Sequence, residues 1–575
     1  MIHYRIELHD LHAHLYRVTL SVPQPASEQR VSLPVWIPGS YMVRDFARHL
    51  SQIQAQQGRA ACALRQLDSS TWLVTCAGRG ALTLTYLAYA FDGSVRAAFI
   101  DSRRGFFNGT SLCLRVEGRE NEPHGITLAG LPRGWSVATA MPADGAKGWL
   151  AADYDELVDH PFELGPFWRA GFDAAGVAHE LVVAGAWPGM DGSRLLADTR
   201  RICETQIAFW HGKRHARPPF ARYLFLLHAV EDGHGGLEHR ASSALMAARR
   251  DLPRSGQRGT GEGYPSLLGL ISHEYFHAWN VKRLKPRELE RIDYTRANHS
   301  SLLWFFEGFT SYYDDLLLLR AGLIDAAKYL TLLAKTINGV AGTPGRKAQS
   351  VAQASFDAWV KFYRSDENTP NVTVSYYTKG SLVALALDLT LRREGRGTLD
   401  AVMRQLWRAS RGGAIDEAAI AAALREVGGR SHLRELAAWV HGTGELPLAA
   451  LLDAAGVQQH QAAEPLAASL GLRLSEAALS GVQVRSVLAG SAAANAGIAP
   501  GDELLAVDDW RIRRLDDAQQ WLIAGRPFEL LLVREQRVLK LRVEPEAAPR
   551  PALTLSLADK PSAHAAALRR DWLGV

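Results

Sequence analysis

Two histidines four residues apart, with a glutamate directly after the first, His273-Glu274-Tyr275-Phe276-His277, are the strongest chemical signal in this chain of 575 residues. On a helix that spacing projects both rings from one face, where their nitrogens can share one tetrahedral metal ion such as zinc. Glu274, next in sequence but turned aside, can take a proton from a water that the metal has acidified. A pattern this short also arises by chance, and a catalytic ion needs a third protein ligand with one position left open. Glu307 has the right character. In Leu303-Trp304-Phe305-Phe306-Glu307-Gly308-Phe309-Thr310-Ser311-Tyr312-Tyr313 a lone carboxylate sits among aromatic residues on a helix that must be largely buried, and burial without a partner is costly. A salt bridge to Arg320 or Lys328 is the plainer alternative, and His299, Glu288 and Glu290 are rival ligands in a polar, loop-like segment.

The run Trp304-x-x-Glu307-Gly308-Phe309-Thr310 after the histidine pair resembles the gluzincin peptidases, which bind zinc through two His and a distant Glu. The interval from His277 to Glu307 is longer than in thermolysin or the aminopeptidase N family. The intervening Asn280-Val281-Lys282-Arg283-Leu284-Lys285-Pro286 is similar to the glycyl aminopeptidase family of that clan. This resemblance implies one zinc ion per chain on His273, His277 and Glu307, with Glu274 as the catalytic base in a thermolysin-like domain. It also implies a preference for N-terminal Gly and Ala. Gly235-Gly236-Leu237-Glu238-His239 resembles the GxMEN motif of aminopeptidase N relatives, whose Glu binds the substrate amine. A fixed carboxylate near the metal separates a free ammonium from a peptide nitrogen by charge pairing, and Gly235 and Gly236 would let substrate backbone approach an edge strand. His239 departs from the motif's Asn. In Ser375-Tyr376-Tyr377-Thr378-Lys379-Gly380, Tyr377 takes the Tyr position of the family's Tyr-x-Lys-Gly pattern and would donate to a developing oxyanion; Tyr376 is the near alternative. Ser311 and Asp314 are candidates for orienting a metal-bound ring.

Several elements must position these groups. From Tyr4 to about Phe167, short apolar runs such as His14-Leu15-Tyr16-Arg17-Val18-Thr19-Leu20 alternate with turn residues, the period of half-buried strands. Pro34-Val35-Trp36-Ile37-Pro38-Gly39-Ser40-Tyr41 reads as a tight packed corner. A helical pattern spans Leu195 to about His211, an apolar strand Tyr223 to Leu227, and Ser255 to Gly263 reads as an exposed loop. From Pro265 to about Gly456 apolar residues recur at helical spacing, with strong segments at Ser266–Val281, Leu302–Arg320, Lys379–Glu394 and Asp416–Val427. After Leu466 the period returns to strands, and Val482 to Val507 with its Ala496-Gly497-Ile498-x-x-Gly501-Asp502 core strongly resembles a bacterial PDZ domain, Ser469 to Leu474 matching the loop and strand that receive a peptide carboxylate. The Ala-, Pro- and Arg-rich stretch from Ala547 reads as a tail.

The length suggests three or four domains. The expected architecture is multidomain α+β: a β domain at 1–167, a catalytic domain at 168–456 (mixed α/β to 262, helical from 263), a PDZ domain at 466–546 and a tail at 547–575. With 22% charged residues and a net charge of +5, the composition suits a globular protein and gives little support to nucleic-acid binding. The basic cluster Lys282, Arg283, Lys285, Arg287 reads as a solvated loop. Cysteine spacings at Cys62, Cys76, Cys113 and Cys203 fit neither a disulfide scaffold nor a zinc knuckle. With no signal-peptide pattern and no long apolar run, a cytoplasmic protein without membrane association is expected. The function expected is a zinc aminopeptidase acting on peptides with a free N-terminus; a thermolysin-type endopeptidase and a non-catalytic PDZ-bearing scaffold are the alternatives. Peptide binding at the PDZ and oligomeric state stay open.

Overall fold

A computed structural model describes the chain except residues 213–216, 258, 260, 478 and 547–550. The chain divides into two compact units. One comprises Met1–His299, Arg320–Leu323 and Leu406–Ile415, the other Ser300–Leu319, Ile324–Gln405 and Asp416–Val575.

The first unit opens as the β region that its alternation predicts. Ile2–Asp10 pairs with Leu15–Val22 and, in parallel, with His124–Ala129 inside a seven-stranded sheet, beside two four-stranded sheets. In Leu15–Val22 the residues Tyr16, Val18, Leu20 and Val22 are all buried and those between them part exposed, as a pleated strand requires. The core of this region also takes in Leu224, Leu226, Leu237 and Ala244 of the next sheet. That sheet begins at Phe167 and orders its strands Phe167–Ala174, Val177–Ala184, Arg222–Val230, Ser242–Ala248 and His234–Glu238. Its middle three strands are parallel and strongly apolar, as expected where both faces are covered. The helix Gly192–His211 forms the crossover between the first parallel pair. Its N-terminus is set by Asp191, which accepts from the Arg194 amide. His234–Glu238 folds back antiparallel as the edge strand. The helix Tyr264–Phe276, started by Pro265 in its first turn, packs on this edge and on Gly192–His211. Of the expected exposed loop Ser255 to Gly263, residues 258 and 260 lie outside the described residues.

The second unit is helical where the pattern places helices, at Leu303–Arg320, Tyr376–Arg393 and Glu417–Gly428. The first two touch backbone to backbone. A Cβ on Gly308 would lie 2.6 Å from the Gly380 Cα, and one on Gly380 would lie 2.6 Å from the Trp304 carbonyl oxygen, so neither position can carry a side chain. After Val457–Ala462 comes the PDZ sheet, built from Leu472–Ala477, Gly481–Val487, Glu503–Val507, Phe528–Arg534 and Arg537–Val543 around an apolar core of its own.

The stretch from 547 onward is not a tail. Residues 547–550 lie outside the described residues, but Ala552–Leu557 pairs antiparallel with Val457–Ala462, and the helix Ala563–Leu573 buries Leu568 and Trp572. Trp572 Nε1 donates to the Tyr312 hydroxyl at 3.1 Å. A bias toward Ala, Pro and Arg conceals a short alternating strand and a helix with few but large apolar residues.

Candidate active site

His277 caps the end of the helix Tyr264–Phe276, so His273 and His277 flank its last turn, with rings 4.6 Å apart and 85° between their planes. The Nδ1 of His277 lies 2.7 Å from the Asn280 carbonyl. A ring that donates Nδ1–H to a carbonyl carries its lone pair on Nε2, the tautomer of a metal ligand. The Asn280 carbonyl thus orients the His277 ring. The helix is fastened from behind. The Gln206 amide donates to the Ser272 carbonyl at 2.7 Å and to its hydroxyl at 2.9 Å, and His179 Nε2 meets the Tyr275 hydroxyl at 2.8 Å.

The basic cluster that follows is only half solvated. Arg287 is exposed, but Arg283 turns inward and donates to the carbonyls of Ala278, Arg240 and Pro219. Burial lowers its guanidinium to about 10. Lys282 Nζ stands 2.7 Å from Asp159 Oδ1. Carbonyls left over where the helix ends, and a buried Asp, draw in cations that the sequence shows only as a charged run.

Glu238 and Glu274 are both buried, and their carboxylates lie with a His277 ring nitrogen inside a 4.8 Å cluster. Glycine makes this possible. A Cβ on Gly236 would overlap the Glu274 carboxylate, so the edge strand reaches the helix only because that position is bare. Gly235 faces no such constraint, its nearest neighbour being Arg96 Nη1 at 3.7 Å. A second glycine presses on the other carboxylate. Gly39, at φ +96°, would set a Cβ 2.6 Å from both Glu238 oxygens. The Pro34–Tyr41 corner is thus packed as expected, with Trp36, Ile37 and Tyr41 buried and Trp36 Nε1 donating to the Asp293 carbonyl at 2.9 Å, but it also backs Glu238. Arg96 donates to the Gly236 carbonyl at 3.0 Å. Neither Gly39 nor Arg96 was legible as part of a site, since nothing in Pro38-Gly39-Ser40 or around Arg96 encodes a distant carboxylate or strand. His239 is buried, with Nδ1 3.5 Å from Asp159 Oδ1, and burial lowers its pKa.

In the second unit Glu307 is buried on Leu303–Arg320. Tyr377 opens the adjacent helix, its hydroxyl 3.0 Å from that of Tyr363. Burial first, then the negative charge of Glu307, hold the Tyr377 phenol well above its ordinary range. Tyr376 is wholly buried, and Tyr377 is partly exposed. His299, Glu288 and Glu290 are exposed.

A histidine pair on a helix, a glutamate between them and an edge strand bearing a second buried carboxylate define a metallopeptidase. Residues 3–166 match the Peptidase M61 N-terminal domain, 266–383 the M61 glycyl aminopeptidase domain and 483–534 a PDZ domain. A solved aminopeptidase N family protein from Idiomarina loihiensis is 35% identical across 100% of both chains, with a TM-score of 0.93. An M1 zinc metallopeptidase from Deinococcus radiodurans is 16% identical, the match covering 78% of this chain and 94% of that one at a TM-score of 0.46. Among curated proteins none matches. The chain belongs to the M61 glycyl aminopeptidase family of metallo-aminopeptidases.

Proposed function

We propose that the protein removes small N-terminal residues, glycine and alanine above all, from peptides, using one zinc ion per chain on His273, His277 and Glu307. The observation that carries this reading is the clustering of buried Glu238 and Glu274 with His277 within 4.8 Å. A carboxylate beside the imidazole can take a proton from water, and a second carboxylate close by can pair with a substrate ammonium. The donor set suits zinc: two imidazoles, one with its lone pair fixed on Nε2 by the Asn280 carbonyl, and a buried carboxylate. When bound, zinc supplies Lewis acidity toward water and the scissile carbonyl. Glu274 takes the proton of the attacking water and returns it to the leaving amine. Tyr377 donates a hydrogen bond to the oxyanion as the carbonyl becomes tetrahedral. Glu238 holds the substrate ammonium, and Gly235 leaves the edge strand open to substrate backbone.

The free thiols of Cys62, Cys76, Cys113 and Cys203 support a cytoplasmic setting. Among the described residues no helix is long and apolar enough to cross a membrane.

The test is hydrolysis of free and N-acetylated Gly- and Ala-initiated peptides by wild type and Glu274→Gln, with metal assayed in both. The expected result is about one zinc per chain in each protein and turnover of free-amine substrates by wild type alone. Equal turnover of acetylated peptides would mean an endopeptidase, and metal-free, inactive protein would leave the PDZ-bearing scaffold.

A further inference from the structure

The PDZ module grips one stretch of the helical region in its own unit. Asn371 Nδ2 donates to the Val487 carbonyl at 3.0 Å, and the Ala489 amide donates to Asn371 Oδ1 at 2.8 Å. One side-chain amide thus meets the backbone on both sides of Leu488 as a paired strand residue would. Arg473, on the first PDZ strand, donates to Thr343 Oγ1 at 3.2 Å. The two gripped segments pack on each other. A Cβ on Gly345 would overlap the Thr373 backbone, so Pro344–Lys347 lies flush against the residues leading to Ser375, the N-cap of the Tyr376–Arg393 helix. Upstream, the same stretch begins at Tyr363, which hydrogen-bonds Tyr377. Between them Asp366 accepts from the Asn368 amide and the Thr369 hydroxyl, which stiffens the span. Residues 363–377 are therefore joined at both ends through the Tyr363–Tyr377 hydroxyl pair and held in the middle by the PDZ.

The loop that would take a peptide carboxylate is meanwhile engaged by its own chain. A carboxylate ligand needs the amides of the loop before Leu472–Ala477, the edge strand of the PDZ sheet. The Leu470 and Gly471 amides instead donate to the carbonyls of Leu466 and Ala468, each at 3.0 Å. At the other end the Leu515 amide donates to Glu476 Oε1 at 2.9 Å, tying the strand to the short turn Leu515–Gln520.

We propose that the PDZ module is an internal clamp that positions Tyr377 through Asn371, and not a receptor for peptide C-termini. This rests on the assignment of Tyr377 to the oxyanion. Asn371→Ala in the full chain should lower kcat on Ala-initiated peptides about tenfold, within the range that misplacing a catalytic group by an ångström can cost, with KM nearly unchanged. Arg473→Ala should act in the same direction and less, and Asn371→Asp, which keeps the acceptor and loses the donor, should fall between. Amide exchange should rise in residues 363–377 of Asn371→Ala while Tyr264–Phe276 stays protected. If Tyr377→Phe is inactive but Asn371→Ala and Arg473→Ala keep wild-type kcat, the clamp is wrong and the tyrosine assignment stands. If Tyr377→Phe is fully active, the assignment itself fails and takes the clamp with it. Fluorescein-labelled peptides ending in Leu or Val, as free acids and as amides, should not bind the full chain; binding of the acids alone would make the module a peptide receptor and overturn the proposal.

Discussion

Asp388 and the pair Glu238–Glu274 are all buried carboxylates, and they differ in the groups gathered around them. Asp388 collects Arg392 Nε at 3.0 Å, the Tyr312 hydroxyl at 2.7 Å and the Leu399 amide at 2.8 Å. Glu163 in the first unit takes Arg104 in a two-pronged pair, both bonds 2.7 Å. In both cases the chain supplies the cation. Glu238 and Glu274 are instead set beside each other and His277, and Gly39 and Gly236 bring backbone hard against them. A carboxylate set in such an Arg pair holds the fold together; two carboxylates and an imidazole gathered in one cluster make a place where a metal ion or an ammonium group can be held.

That contrast can be tested from its largest effect downward. Glu274→Gln should reduce kcat about 10³-fold, in the range of a lost general base, while zinc content and the thermal midpoint hold; a variant that loses its metal would show Glu274 serving binding instead. Asp388→Ala leaves Arg392 to Asp571 and Asp400 and takes the acceptor from Tyr312 and the Leu399 amide, and should cost about 1–3 kcal/mol of stability, read from urea unfolding, with kcat/KM per folded molecule unchanged. Glu238→Ala should lose about 2–3 kcal/mol of transition-state binding, the worth of hydrogen bonds to a charged group, on free-amine peptides only. Gly39→Ala, which crowds the same carboxylate at a positive φ, should raise KM for those peptides about tenfold while hydrolysis of any acetylated substrate stays where it was. If Gly39→Ala lowers kcat and leaves KM alone, the corner does not act through Glu238.

Much of the site was readable because its residues obey local rules. The i, i+4 histidines, the solitary Glu307 among aromatics and the turn-rich run before Glu238 each break the pattern around them in a chemically meaningful way. The glycines after Glu307 and in Tyr377-x-Lys379-Gly380 are explained by the structure, since the two helices meet at Gly308 and Gly380. Gly39 and Arg96 were hidden because their partners, Glu238 and the Gly236 carbonyl, stand far away in sequence. The inward turn of Lys282 and Arg283 was hidden for a related reason: a charge run looks the same whether it meets water or a helix end. The terminal strand and helix were missed because Ala552–Leu557 depends on Val457–Ala462 for its pairing, and a lone six-residue strand carries little signal of its own.

The first unit takes in Arg320–Leu323 and Leu406–Ile415, short lengths of chain lying among residues that otherwise build the second. Translation must therefore pass residue 415 before the first unit has all its parts, and by then much of the second has already been made. Fragments cut at the apparent boundary near His299 would omit those lengths and expose the apolar surface they cover.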